Sequence, residues 1–128
     1  MNDFKKGVLV ATFAAARNEI LQLQGYLNTD KTACFFAERA GIVHEFPGKD
    51  NKEKVNLWTI EGTAYDLQKD FTVEDARRFA EMLESLEAAL SKVVNNDPLS
   101  RESAKALIMI IRLIESNAGI IKAQLKED

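Results

Sequence analysis

Two regular series of apolar residues fix most of what the second half of this chain can become. The first is Ala76, Phe79, Leu83, Leu86, Leu90 and Val93. The second is Ala104, Leu107, Ile111, Ile114, Ala118, Ile121 and Leu125. Both advance by alternating steps of three and four residues, which keeps one stripe on one side of an α-helix. Asn95-Asn96-Asp97-Pro98 interrupts them, and so short a connection makes the two helices antiparallel neighbours. Thr72 is placed to cap the backbone N–H of Asp75, with Asp75 answering it and Phe71 stapled against Ala76. At the next helix Pro98 suits the first helical position, with Asp97 or Ser100 as its cap.

The N-terminal half carries the same signal less regularly. Leu9, Phe13, Ala16, Ile20, Leu23 and Leu27 predict a helix over residues 3–27, and Phe4, Val8, Ala11 and Ala15 give it a second stripe. Asn28-Thr29-Asp30 ends it and can cap a short helix over about 31–40, for which Gly41 is a left-handed stop. Residues 42–71 are ambiguous. Ile42–Phe46 and Val55–Ile60 are rich in β-formers around a Pro47-Gly48 turn signal. Leu57, Ile60, Ala64, Leu67 and Phe71 nevertheless keep helical steps, and Asp50 with Glu53 matches a capping pattern. Weak helix formers such as Trp58, Thr59 and Gly62 tilt the stretch before Gly62 toward strand and Thr63–Gln68 toward helix. The expected fold is mainly α. It is a four- to five-helix bundle forming a single helical domain over residues 1–128, with room for a small β-hairpin within residues 42–60.

Composition narrows the function. The chain has 128 residues, 46% of them hydrophobic, and a net charge of −3. That is enough to bury one core, and the charge argues against nucleic acid or an anionic membrane as partner. No run is long enough for a membrane span. Lys5 and Lys6 precede the apolar stretch Val8–Ala16, as at the start of a secretory signal. Arg17 and Glu19 follow at once while the apolar register continues, so the segment reads as part of a mature helix. The single cysteine, Cys34, excludes an internal disulfide and fits a reducing, cytoplasmic setting. With Phe35 and Phe36 beside it, it reads as a small buried apolar residue.

The final helix is more apolar than a hairpin requires. At 100° per residue, Ala106, Met109, Leu113 and Ile120 widen its stripe to roughly 220°. Such a helix is either central to the bundle or part of a subunit contact. Met109, Leu113, Asn117 and Ile120 are the candidate interface. Asn117 inside this arc either sets register or oligomeric state, or meets a backbone carbonyl within the fold.

Candidate chemistry is sparse. Glu81, Glu84 and Glu87 lie at steps of three on one helix, but a metal needs oxygen ligands from a second element, and the final helix offers only Glu102 and Glu115. No metal site and no cofactor are expected. Arg39 and His44, with four residues between them, are similar to the Arg-x4-His motif of the helical nuclease superfamily often called HEPN. The resemblance implies RNA cleavage, with Arg39 holding a phosphate and His44 moving a proton. Ala40 stands where that family has a polar residue. Thr32–Ile42 resembles the first helix and turn of a helix-turn-helix, whose DNA-reading helix would have to follow within residues 32–50 and would meet Pro47. Phe46, Trp58 and Tyr65 are a candidate ligand pocket, or else cap the core. The reading these features favour is a small, non-enzymatic interaction or regulatory protein. It would self-associate as a homo-oligomer through helical surfaces, with an unidentified protein partner as a further option. The alternatives are the nuclease and the DNA-binding regulator.

Overall fold

The computed structural model describes residues 1–44 and 55–126. Among the described residues, five helices carry the fold: α1 (Asp3–Thr29), α2 (Lys31–Arg39), α3 (Leu57–Lys69), α4 (Val73–Asn96) and α5 (Arg101–Leu125). Each start has a polar side chain that accepts an otherwise orphaned backbone N–H. Asn2 accepts from Lys5, Asp30 from Ala33, Asn56 from Thr59, Thr72 from Asp75 and Ser100 from Ser103. Gly41 has φ of 93° and ends α2 in the left-handed conformation that its sequence position suggests. Pro98 is not the first residue of α5. That helix opens at Arg101 behind Ser100, and Pro98 belongs to the turn.

The stretch 55–60 departs from its sequence preference. Only Val55–Asn56 is extended, and Leu57 already opens α3. Leu57, Ile60, Ala64 and Leu67 are all buried. Burying the three large side chains among them at about 1.5–3 kcal/mol each outweighs the few tenths per residue lost to weak helix formers. The small sheet also differs from a hairpin. β1 (Ile42–Val43) and β2 (Val55–Asn56) pair in parallel, with Ile42 opposite Val55 and Val43 opposite Asn56. A hairpin turn joins antiparallel strands only. Here β2 runs straight into α3, so its direction follows from how α3 seats on α1. Phe46, the Pro47-Gly48 turn and the Asp50–Glu53 capping pattern lie outside the described residues.

α4 and α5 form the antiparallel hairpin, and α1 packs on both α3 and α5. Phe13 of α1 is fully buried, with the rings of Phe71 and Phe79 edge-on to it at 5.4 and 5.8 Å. Arg17 ties α1 to α3 through Glu61 at 2.7 Å. Among the described residues, no helix is long and apolar enough to cross a membrane.

A polar node closes the other end of α1. Asp30 caps α2, accepts the Tyr26 hydroxyl at 2.6 Å and accepts the Ser103 hydroxyl from the first turn of α5. The Ala33 backbone N–H and the Ser103 and Tyr26 hydroxyls hold its carboxyl below the ordinary value of 3.8. A lowered acid pKa contributes stability that is present above that value and is lost as pH falls through the lowered one. Asp30→Ala is therefore expected to cost about 1–3 kcal/mol at neutral pH, a lost cap plus orphaned hydroxyls. Urea denaturation checks this, and the difference from wild type should shrink on acidification. A loss equal at pH 7 and pH 2 would contradict the role given to the carboxylate.

Candidate functional site

Among the described residues, two places combine exposure with unusual side chains. The first is the outer face of α5. Its packing against α4 and α1 uses Leu107, Ile110, Ile111, Ile114, Ala118 and Ile121, all buried. Roughly a third of a turn away, Met109, Leu113 and Ile120 stay 66%, 39% and 39% exposed. The structure therefore places three of the four predicted interface residues on one open strip. The fourth, Asn117, is 8% exposed and buried within the fold. It lies about 40° around the helix from Leu113, at the margin where the strip gives way to the core.

The second place is at the junction of α2 and β1. Cys34 and Glu38 stand one turn apart on α2, the spacing that aligns side chains on one helix face. Gly41 turns the chain back and β1 carries His44 onto that face. Trp58, from the first turn of α3, donates its indole N–H to the His44 carbonyl oxygen at 2.9 Å and fixes the backbone there. The Cys34 Sγ lies 3.5 Å from the Glu38 Oε1 and 3.7 Å from the His44 Nδ1. The third side of the triangle, His44 Nδ1 to Glu38 Oε1, is 3.6 Å. The His44 side chain is 8% exposed and that of Glu38 53%, so the cluster has a closed and an open side. All three line a surface cavity of about 310 Å³ together with Leu27, Lys31 and Phe35. Cys34 is thus only partly buried, and it faces a histidine and a carboxylate. It packs against the core, as its Phe35 and Phe36 neighbours suggest, but is not fully buried there.

The remaining sequence candidates do not converge. The guanidinium of Arg39 lies over the Phe36 ring at 6.0 Å. Among the described residues, no hydrogen bond or ion pair joins it to His44, whose ring is taken up by Cys34 and Glu38. After Gly41 the chain is extended through Ile42–Val43, where a DNA-reading helix would begin. Trp58 and Tyr65 are both about two-fifths exposed but engage separately. Trp58 holds His44, whereas the Tyr65 ring sits between Arg17 at 5.1 Å and Lys69 at 4.2 Å. Phe46, the third member of that pocket, lies outside the described residues.

Of Glu81, Glu84 and Glu87 on α4, Glu84 pairs with Lys122 of α5 at 2.7 Å. Burial, and secondarily the charges of Glu115 and Glu84, push the Glu87 carboxyl above the usual range. That is the signature of a crowded margin between helices. Among the described residues, the side chains of Cys34, Glu38 and His44 are the group whose donor atoms converge as metal ligands do, all within 4.8 Å of one another.

Comparison with known protein families, with curated proteins and with solved structures finds no match to this chain.

Proposed function

We propose that the protein is a self-associating helical module, a small non-enzymatic interaction or regulatory protein whose α5 outer face binds the same face of a second copy. The observation that carries this reading is the exposure of Met109, Leu113 and Ile120 on a helix of 25 residues. They belong to a longer row of Ala106, Met109, Leu113, Ser116, Ile120 and Ala123. Its steps are 3, 4, 3, 4 and 3, which read the same from either end. A two-fold axis between Leu113 and Ser116 would therefore set Ala106 against Ala123, Met109 against Ile120 and Leu113 against Ser116 in an antiparallel pair. Self-complementarity of this kind is what a two-fold dimer requires. The small residues at both ends let two helix backbones approach. The large ones near the middle supply apolar area at about 25 cal/mol per Å² removed from water.

Cysteine pairing tests the register in a Cys34→Ser background. Met109→Cys and Ile120→Cys chains, mixed and mildly oxidised, are expected to form a mixed disulfide. Each alone should not, because like positions would sit about 16 Å apart along the helix axis. Disulfides between two Met109→Cys chains would point to a parallel pair and contradict this register. No cross-linking in any mixture would contradict self-association through this face.

A further inference from the structure

We propose that Cys34, Glu38 and His44 bind one divalent transition-metal ion, with Zn²⁺ as the ion their chemistry fits. Zinc binds cysteine sulfur at about 2.3 Å, histidine nitrogen at about 2.0–2.1 Å and carboxylate oxygen at about 2.0–2.2 Å, in a tetrahedron. Those bond lengths and a tetrahedral angle put the donor atoms about 3.4–3.6 Å apart. The three separations here are 3.5, 3.6 and 3.7 Å. The triangle of donors has the size of one face of such a site; the Cys34 Sγ is also 3.6 Å from the His44 Nε2, so the imidazole must turn to aim one nitrogen's lone pair at the ion.

The donor set points the same way. One thiolate and one imidazole select against calcium and magnesium, which take oxygen ligands. One thiolate and one carboxylate together neutralise a dication, so occupancy leaves no net charge beside the core. The scaffold is also right for holding an ion. Two ligands share a helix face, and the third sits on a strand end pinned by the bond from Trp58. Three protein ligands leave one position of a tetrahedron open, and the cavity gives that position access to solvent. A closed structural site would use four. The open position is therefore available to water or to an added ligand. This proposal is independent of self-association, since none of its residues lies on α5.

Titration of Co²⁺ into the full-length chain tests it. A thiolate-to-cobalt charge-transfer band in the near ultraviolet should grow and saturate at one equivalent. Zn²⁺, the stronger binder of the two for a nitrogen and sulfur site, should abolish it. Cys34→Ser should remove the band. His44→Ala and Glu38→Gln should each weaken binding at least about tenfold, since even outer-shell partners contribute that much, while Glu74→Gln should leave it unchanged. Wild-type chain showing no band, or binding beyond one equivalent without saturation, would overturn the proposal. So would a band of undiminished affinity in His44→Ala, which would mean that the thiol binds cobalt unaided. Circular dichroism of each variant separates ligand loss from misfolding. If a variant does not fold, the wild-type stoichiometry and its displacement by Zn²⁺ decide the question.

Discussion

Phe13→Ala should be among the most damaging single truncations in this chain, lowering stability by about 3–5 kcal/mol, the range for a fully buried aromatic residue. Phe13 has no exposed surface, and its ring is where α1 meets two other parts of the chain. Phe71, just before α4, and Phe79, within α4, both stand edge-on to it. Edge-on ring pairs contribute about 0.5–1.5 kcal/mol each beyond the area they bury. Removing the ring therefore takes away two such pairs and leaves a cavity between helices that cannot close without shifting α1. A chain of this size has about 5–15 kcal/mol in all, so the variant should be close to unfolding at physiological temperature. Urea denaturation measures it, with the midpoint falling and the slope unchanged. A loss below about 1 kcal/mol would mean that the three rings are not the centre of the core.

Leu113→Glu should separate subunits without unfolding them. The side chain is 39% exposed in the single chain, so a carboxylate there can reach water, and the fold should change by no more than about 0.5 kcal/mol. In the proposed pair each Leu113 faces Ser116 of the second copy near the two-fold axis. Two carboxylates would then be buried close together in an apolar seam. Removing a charge from water without a partner costs several kcal/mol, and each 1.4 kcal/mol is tenfold in affinity. Association should weaken by at least about a hundredfold. Sedimentation velocity and circular dichroism together read the result. A variant that still sediments as the wild type would place the contact elsewhere. One that loses helicity would mean Leu113 serves the subunit's own core.

The helices are legible in the sequence because their signals are redundant. In α4 and α5 every three-or-four step ends on an apolar residue, and the Thr72 cap adds a second cue that the structure repeats at 3.0 Å. The start of α3 is not legible in the same way. Trp58 and Thr59 prefer strand locally, and the burial that overrides them depends on where α1 lies. The direction of the two-residue sheet is hidden for a related reason, because alternation and turn residues report extension but not whether strands run together or oppositely. The exposed strip on α5 is visible as an arc too wide for one hairpin. The inward turn of Asn117 is not, since 40° on a helix separates core from surface and spacing alone cannot place that boundary.

The cluster at Cys34 does not show in its three residues taken one at a time. Cys34 and Glu38 have the one-turn spacing of a shared helix face, and Gly41 signals a reversal that can bring His44 back over it. Joined, those cues contain the site. What the sequence does not spell out is the parallel strand and the Trp58 bond, which hold the His44 backbone beside α2.

Self-association through α5 is tested most directly by the mass of the wild-type protein in solution. Multi-angle light scattering at micromolar concentration should give twice the chain mass of 14.3 kDa, and the Leu113→Glu chain alongside it should give the single mass. A wild-type value of 14.3 kDa that persists as concentration is raised would contradict the account and leave the α5 strip without the occupant assigned to it.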